Sequence, residues 1–144
     1  MDAAQVEALE GTIRTACQGF SALHLRADRV GFFPDLRSAR VVWVGVQDRT
    51  DQLPRLQQAV EAATQHFTTE HKEERFAGHV TLARIKSITR PEAEALGKAA
   101  AGMAERNFGQ WAAGKVELMR SVLSPQGASY SHLAAVALIK SAVD

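Results

Sequence analysis

Phe76-Ala77-Gly78-His79-Val80-Thr81-Leu82-Ala83-Arg84 is the stretch on which the reading of this chain turns. From His79 through Ile85 it is short, rich in apolar and β-branched residues, and free of Gly and Pro, which is the composition of a strand. Strand side chains alternate between faces, so His79 and Thr81 point one way while Val80 and Leu82 are expected to point into a core. An imidazole exchanges protons near neutral pH. A neighbouring hydroxyl can donate to a phosphoryl oxygen. Together they make a small unit suited to gripping a phosphate and moving a proton. Strict alternation places Arg84 on the core side unless it lies past the strand end, where its guanidinium is a candidate phosphate donor. Phe76 is a candidate for stacking on a base, with core packing as the alternative.

His-x-Thr on its own is a weak signal, because the chain carries a second copy, His66-Phe67-Thr68. That copy falls at a helix end before a polar loop, where a solvated role is expected. His71 sits in the charged string of residues 70–75 and is also expected to be solvated. His24 belongs to the polar face of an early strand, with no threonine two residues on. His132, early in the last strand, and Tyr130, beside it, are candidates for lining a site.

The surrounding elements read outward from this strand. Asp2 is a plausible N-cap for a helix carrying Val6, Leu9, Ile13 and Ala16 on one face, with Gly19 as its stop. Leu23, Leu25 and Ala27 alternate with His24, Arg26 and Asp28 as a half-buried strand, and residues 31–39 read as a loop. Arg40-Val41-Val42-Trp43-Val44-Gly45-Val46 is a strand. Leu53, Leu56, Val60 and Ala63 line a second helix with Pro54 in its first turn. Pro91 opens a third helix, with Ala93, Leu96, Ala100 and Met103 as its stripe, ended by residues 107–109. Residues 116–123 and 130–139 form a hairpin around a Pro- and Gly-containing turn. The order α-β-β-α-β-α-β-β predicts an α+β fold with largely antiparallel pairing.

Several of these segments, in this order, resemble one family. Phe76-x-x-His79-Val80-Thr81-Leu82-Ala83-Arg84 is similar to the second signature of the 2H phosphoesterases of the 2′-5′ RNA ligase and RNA 2′,3′-cyclic phosphodiesterase type. The strand Arg40 to Val46 and the hairpin residues Arg120-Ser121-Val122-Leu123-Ser124-Pro125-x-Gly127-Ala128-x-Tyr130 resemble the corresponding family segments. The resemblance implies a bilobal α+β fold across residues 1–144 as a single domain, with two mostly antiparallel sheets around a central cleft and helices outside. It implies that each half contributes one His-x-Thr, one histidine acting as base and the other as acid, with no metal or other cofactor. The implied partners are RNA ends or nucleotides bearing a 2′,3′-cyclic phosphate.

The family's first His-x-Thr lies on a strand ahead of the segment that Ala4 begins to match. The expectation is therefore an incomplete first lobe, short of a strand-helix-strand unit of roughly 30 residues, and a weakened activity. Two alternatives stay open: a non-catalytic phosphate-binding module, and a site completed across a dimer, since an unpaired sheet edge invites pairing with another chain. The chain is expected to be a monomer or an edge-paired dimer.

Composition bounds these readings. The net charge of +1 argues against nucleic-acid binding by bulk electrostatics, so any RNA contact should be local. An apolar fraction of 46% with 23% charged residues is ordinary globular usage, and no apolar run approaches a membrane span. With Cys17 as the one cysteine, no internal disulfide is possible. The absence of a signal-like N-terminus leads to an expectation of a cytoplasmic protein.

Overall fold

A computed structural model describes residues 1–70 and 76–139. The expectation for His71 and for residues 72–75 lies outside the described residues. The elements run α1 (Ala3–Ala16), β1 (Leu23–Phe33), β2 (Val41–Gln47), α2 (Gln52–Thr64), a 3-10 turn (Gln65–Phe67), β3 (His79–Arg84), α3 (Arg90–Ala101), β4 (Asn107–Ala113), β5 (Lys115–Ser124) and β6 (Gly127–Ala137). The fold is α+β. Its strands form a four-stranded sheet in the order β3-β2-β1-β4 and a two-stranded sheet, β5-β6.

The chain divides into two compact units. In the first, α1 packs against α2 and against the β5-β6 hairpin. Ile13, Leu56, Ala134 and Val136 are buried on those elements, with Cys17 and Leu138 buried just past the ends of α1 and β6. Burial pushes the Cys17 thiol above its ordinary pKa. Helix α1 starts as its sequence predicts. Asp2 accepts a hydrogen bond from the Gln5 amide at 2.8 Å, and the Asp2 amide donates back to Gln5 Oε1 at 2.8 Å, a reciprocal capping box. Asp2→Ala removes the first of these bonds, and the expected cost is ~1 kcal/mol, read as a shift in the urea midpoint with an unchanged slope. The hairpin is tighter than its sequence reads: Ser124 pairs directly with Gly127, whose φ is +119, leaving a two-residue loop.

The second unit holds β1 from His24 onward, β2, β3, β4 and α3. Its buried residues include Leu25, Ala39, Val42 and Ala93. Helix α3 is capped by Thr89, whose side chain accepts from the Glu92 amide, with Pro91 in the first turn. In the turn after β1, Asp35 Oδ1 accepts from the Ser38 amide at 2.9 Å and from its hydroxyl at 3.1 Å. These bonds hold the Asp35 carboxyl below its ordinary value.

Two expectations fail here for physical reasons. Residues 31–33 are strand, not loop. β1 continues past a bulge at Arg29, which takes φ +64 and shifts the register between Asp28 and Val30. Residues 107–113 form a strand rather than a helix stop. Asn107 and Gly109 read as breakers, yet pairing with β1 accommodates Gly109 at φ +152.

A candidate phosphoester site on the edge strand

Among the described residues, strand β3 pairs on one side, with β2. The antiparallel register sets His79 opposite Gly45, Val80 opposite Val44 and Thr81 opposite Trp43, and Ala83 opposite Val42 and Arg84 opposite Val41. Leu82 is the extra residue, a bulge. Opposed residues in an antiparallel pair share a face, and Val41, Trp43 and Gly45 share one face of β2 by strand alternation. The bulge therefore returns Arg84 to the face of His79 and Thr81. Strict alternation would have put it on the other side. Along the strand, His79 and Thr81 are about 6.6 Å apart.

Every residue of β3 is exposed. Val80 and Leu82, expected in a core, are 49% and 58% exposed. An edge strand has a neighbour on one side only, and Leu82 sits in the bulge, so neither side chain is enclosed within its unit.

The imidazole is held from two directions. His79 Nδ1 lies 2.7 Å from the Ala77 carbonyl oxygen. A carbonyl only accepts, so Nδ1 carries the hydrogen and the neutral ring keeps Nε2 as its acceptor. The ring also meets Phe33 edge-on, with centroids 5.1 Å apart, and lies 6.3 Å from the Trp43 ring; Phe33 and Trp43 are themselves 5.2 Å apart. The Trp43 indole lies across Gly31, where a Cβ would fall inside its van der Waals envelope. Trp43 Nε1 is buried with no hydrogen-bond partner among the described residues.

The other sequence candidates are placed as follows. Phe76, just ahead of the strand, is 41% exposed. Tyr130, 63% exposed, opposes Ser121, and His132 opposes Met119, both on β6 in the first unit. His132 Nε2 stands 3.7 Å from Glu117 Oε1. His66 lies tilted against Phe67, ring centroids 4.2 Å apart, in the 3-10 turn, also in the first unit, and Thr68 follows that turn. The second unit thus brings together His79, Thr81 and Arg84.

The sequence reading missed Phe33, Trp43 and the Ala77 carbonyl. The signal for Trp43 was present as a strand tryptophan two residues before Gly45, but only the register pairs it with Gly31.

Such a face can hold a phosphoryl group between a hydroxyl, a guanidinium and a proton-carrying imidazole. Among the described residues, no group of three or more His, Cys, Asp or Glu is placed to hold a metal ion. No helix there is long and apolar enough to cross a membrane.

The chain is 32% identical over 120 residues to the RNA 2′,3′-cyclic phosphodiesterase of Aeropyrum pernix, covering 83% of this chain and 67% of that protein. It is 28% identical over 114 residues to the protein of the same name from Archaeoglobus fulgidus, covering 79% and 61%. It is 30% identical over 103 residues to that of Aquifex aeolicus, covering 71% and 53%. The chain thus spans between about half and two thirds of these relatives' lengths. The crystal structure of TT0787 of Thermus thermophilus superposes with a TM-score of 0.73 at 20% identity, covering 96% of this chain and 72% of that one. That likeness shows a shared fold. The model of the 2′-5′ RNA ligase superfamily matches residues 1–123, the His-x-Thr strand included. On that match the chain belongs to the 2′-5′ RNA ligase superfamily.

Proposed function

We propose that the chain recognises RNA ends or nucleotides bearing a 2′,3′-cyclic phosphate and acts in opening the cyclic ester through acid–base chemistry at His79. The observation that carries this reading is the shared face of His79, Thr81 and Arg84, with the Nε2 of His79 left as the acceptor. The names of the Aeropyrum and Archaeoglobus relatives support the substrate class.

In the reaction, water adds to phosphorus and one ribose P–O bond breaks. One proton leaves the water and one reaches the departing ribose oxygen. His79 supplies one of these two transfers. Thr81 and Arg84 meet the charge that builds on the phosphoryl oxygens, so no metal is required in this scheme.

Among the described residues of the β3 face, one His-x-Thr unit is present. This favours slow turnover by the 144 residues on their own, with binding retained. The test is incubation of the chain, in excess, with a 2′,3′-cyclic mononucleotide, resolving the 2′- and 3′-phosphate products and measuring binding in parallel. Saturable binding with slow formation of a single isomer is expected. A chain that neither binds the cyclic nucleotide nor changes its opening at any pH overturns the reading.

A further inference from the structure

A cavity of about 350 Å³ lies in the same unit, and part of its lining shares the sheet face that carries His79. His24 and Arg26 of β1, Gln47 of β2, Arg49 of the following loop, and Gln110 and Trp111 of β4 line it. Arg26 opposes Gln47, just as Asp28 opposes Gly45, which in turn opposes His79. By alternation, Arg26 and Gln47 therefore lie on the His79 face. From His79 to Arg26 the path is two residues along and two strands across, about 12 Å.

The lining is mostly polar and cationic. Besides Leu25 and Thr50 it includes two guanidiniums, one imidazole, two amides and an indole that is 41% exposed, and, among the described residues, no carboxylate. Arg26 is steadied by Asp28, whose Oδ2 lies 3.1 Å from Arg26 Nε. The loop bearing Arg49 is ordered by Asp48, which accepts from the Thr50 amide at 2.9 Å and from its hydroxyl at 2.6 Å. Guanidiniums suit phosphate, amides suit base edges, and an exposed indole suits stacking on a base.

We infer that this cavity is a nucleotide subsite for single-stranded RNA, holding a nucleotide upstream of the end seated at His79. The inference rests on the reading of His79 as the cyclic-phosphate position. It also fits a chain of net charge +1, whose contacts with RNA must be local.

The test uses the full 144-residue chain and three probes: a cyclic mononucleotide, a short single-stranded oligoribonucleotide ending in a 2′,3′-cyclic phosphate, and the same oligomer ending in hydroxyls. Affinities come from tryptophan fluorescence and, independently, from anisotropy of labelled oligomers. The cyclic-ended oligomer is expected to bind at least about 10-fold more tightly than the mononucleotide. Trp111→Leu is expected to reduce that ratio roughly 5-fold or more, the scale of one lost base stack. Arg49→Gln, in an exposed loop, is expected to reduce the ratio as well and to lower the salt slope of oligomer binding by about 0.7, as for one lost single-strand phosphate contact. Equal affinity for mononucleotide and oligomer, or a ratio unmoved by both substitutions, overturns the subsite and leaves the His79 reading standing. An oligomer that binds through Arg49 and Trp111 equally well with either end keeps the subsite and overturns the His79 reading.

Discussion

His79→Ala is expected to lower the opening of a 2′,3′-cyclic nucleotide by ~10²–10⁴-fold, or to the uncatalysed rate if that is reached first, the effect of removing a positioned proton-transfer group. The magnitude follows from how the ring is held. Nδ1 donates to the Ala77 carbonyl, so the same tautomer is presented at every turnover, and Phe33 meets the imidazole edge-on. A group held this way loses little freedom when it acts. Binding of the cyclic nucleotide is expected to fall much less, because Thr81 and Arg84 remain. Single-turnover rates and fluorescence titrations on the same preparation separate the two effects. If His79→Ala leaves the rate unchanged while binding collapses, the histidine is a binding group, and the acid–base role in this proposal is wrong.

Gly31→Ala is expected to destabilise the chain by about 1–3 kcal/mol, the usual cost of overpacking. Two effects oppose each other here. Replacing a strand glycine with alanine should help by about 0.5–1 kcal/mol, because glycine loses more freedom on folding. Against this, the new methyl would occupy space already filled by the Trp43 indole. The indole cannot simply turn away, since it is packed against Phe33. Packing therefore outweighs entropy. The displaced indole should also disturb His79, 6.3 Å away, so the opening rate should fall together with stability. A urea midpoint that stays the same or rises in Gly31→Ala would contradict this. A double-mutant cycle supplies the sharper check: in a Trp43→Val background the same substitution should become neutral or stabilising.

The same packing shows where the sequence stopped being sufficient. Composition and alternation determined that residues 79–84 form a strand, and period-two geometry determined that His79 and Thr81 share a face. Asp2, Pro54 and Pro91 marked three helix starts through capping and proline chemistry, which act within a few residues. These are local effects, and one sequence carries them in full. Strand β4 and the extension of β1 through Phe33 were not legible in this way. Asn107, Gly109 and Gly31 carry turn signals when read alone, and only a hydrogen-bonded neighbour overrides them.

The face of Arg84 depends on one extra residue, Leu82, relative to β2. A bulge belongs to the pairing of two strands and to neither strand by itself. Likewise, the tautomer of His79 depends on where the Ala77 carbonyl falls, and the place of Trp43 depends on the glycine opposite it. The amino-acid sequence by itself determined which residues can do the chemistry. Tertiary structure decided which of them share a surface, because register, bulges and side-chain contacts arise between segments distant in the chain.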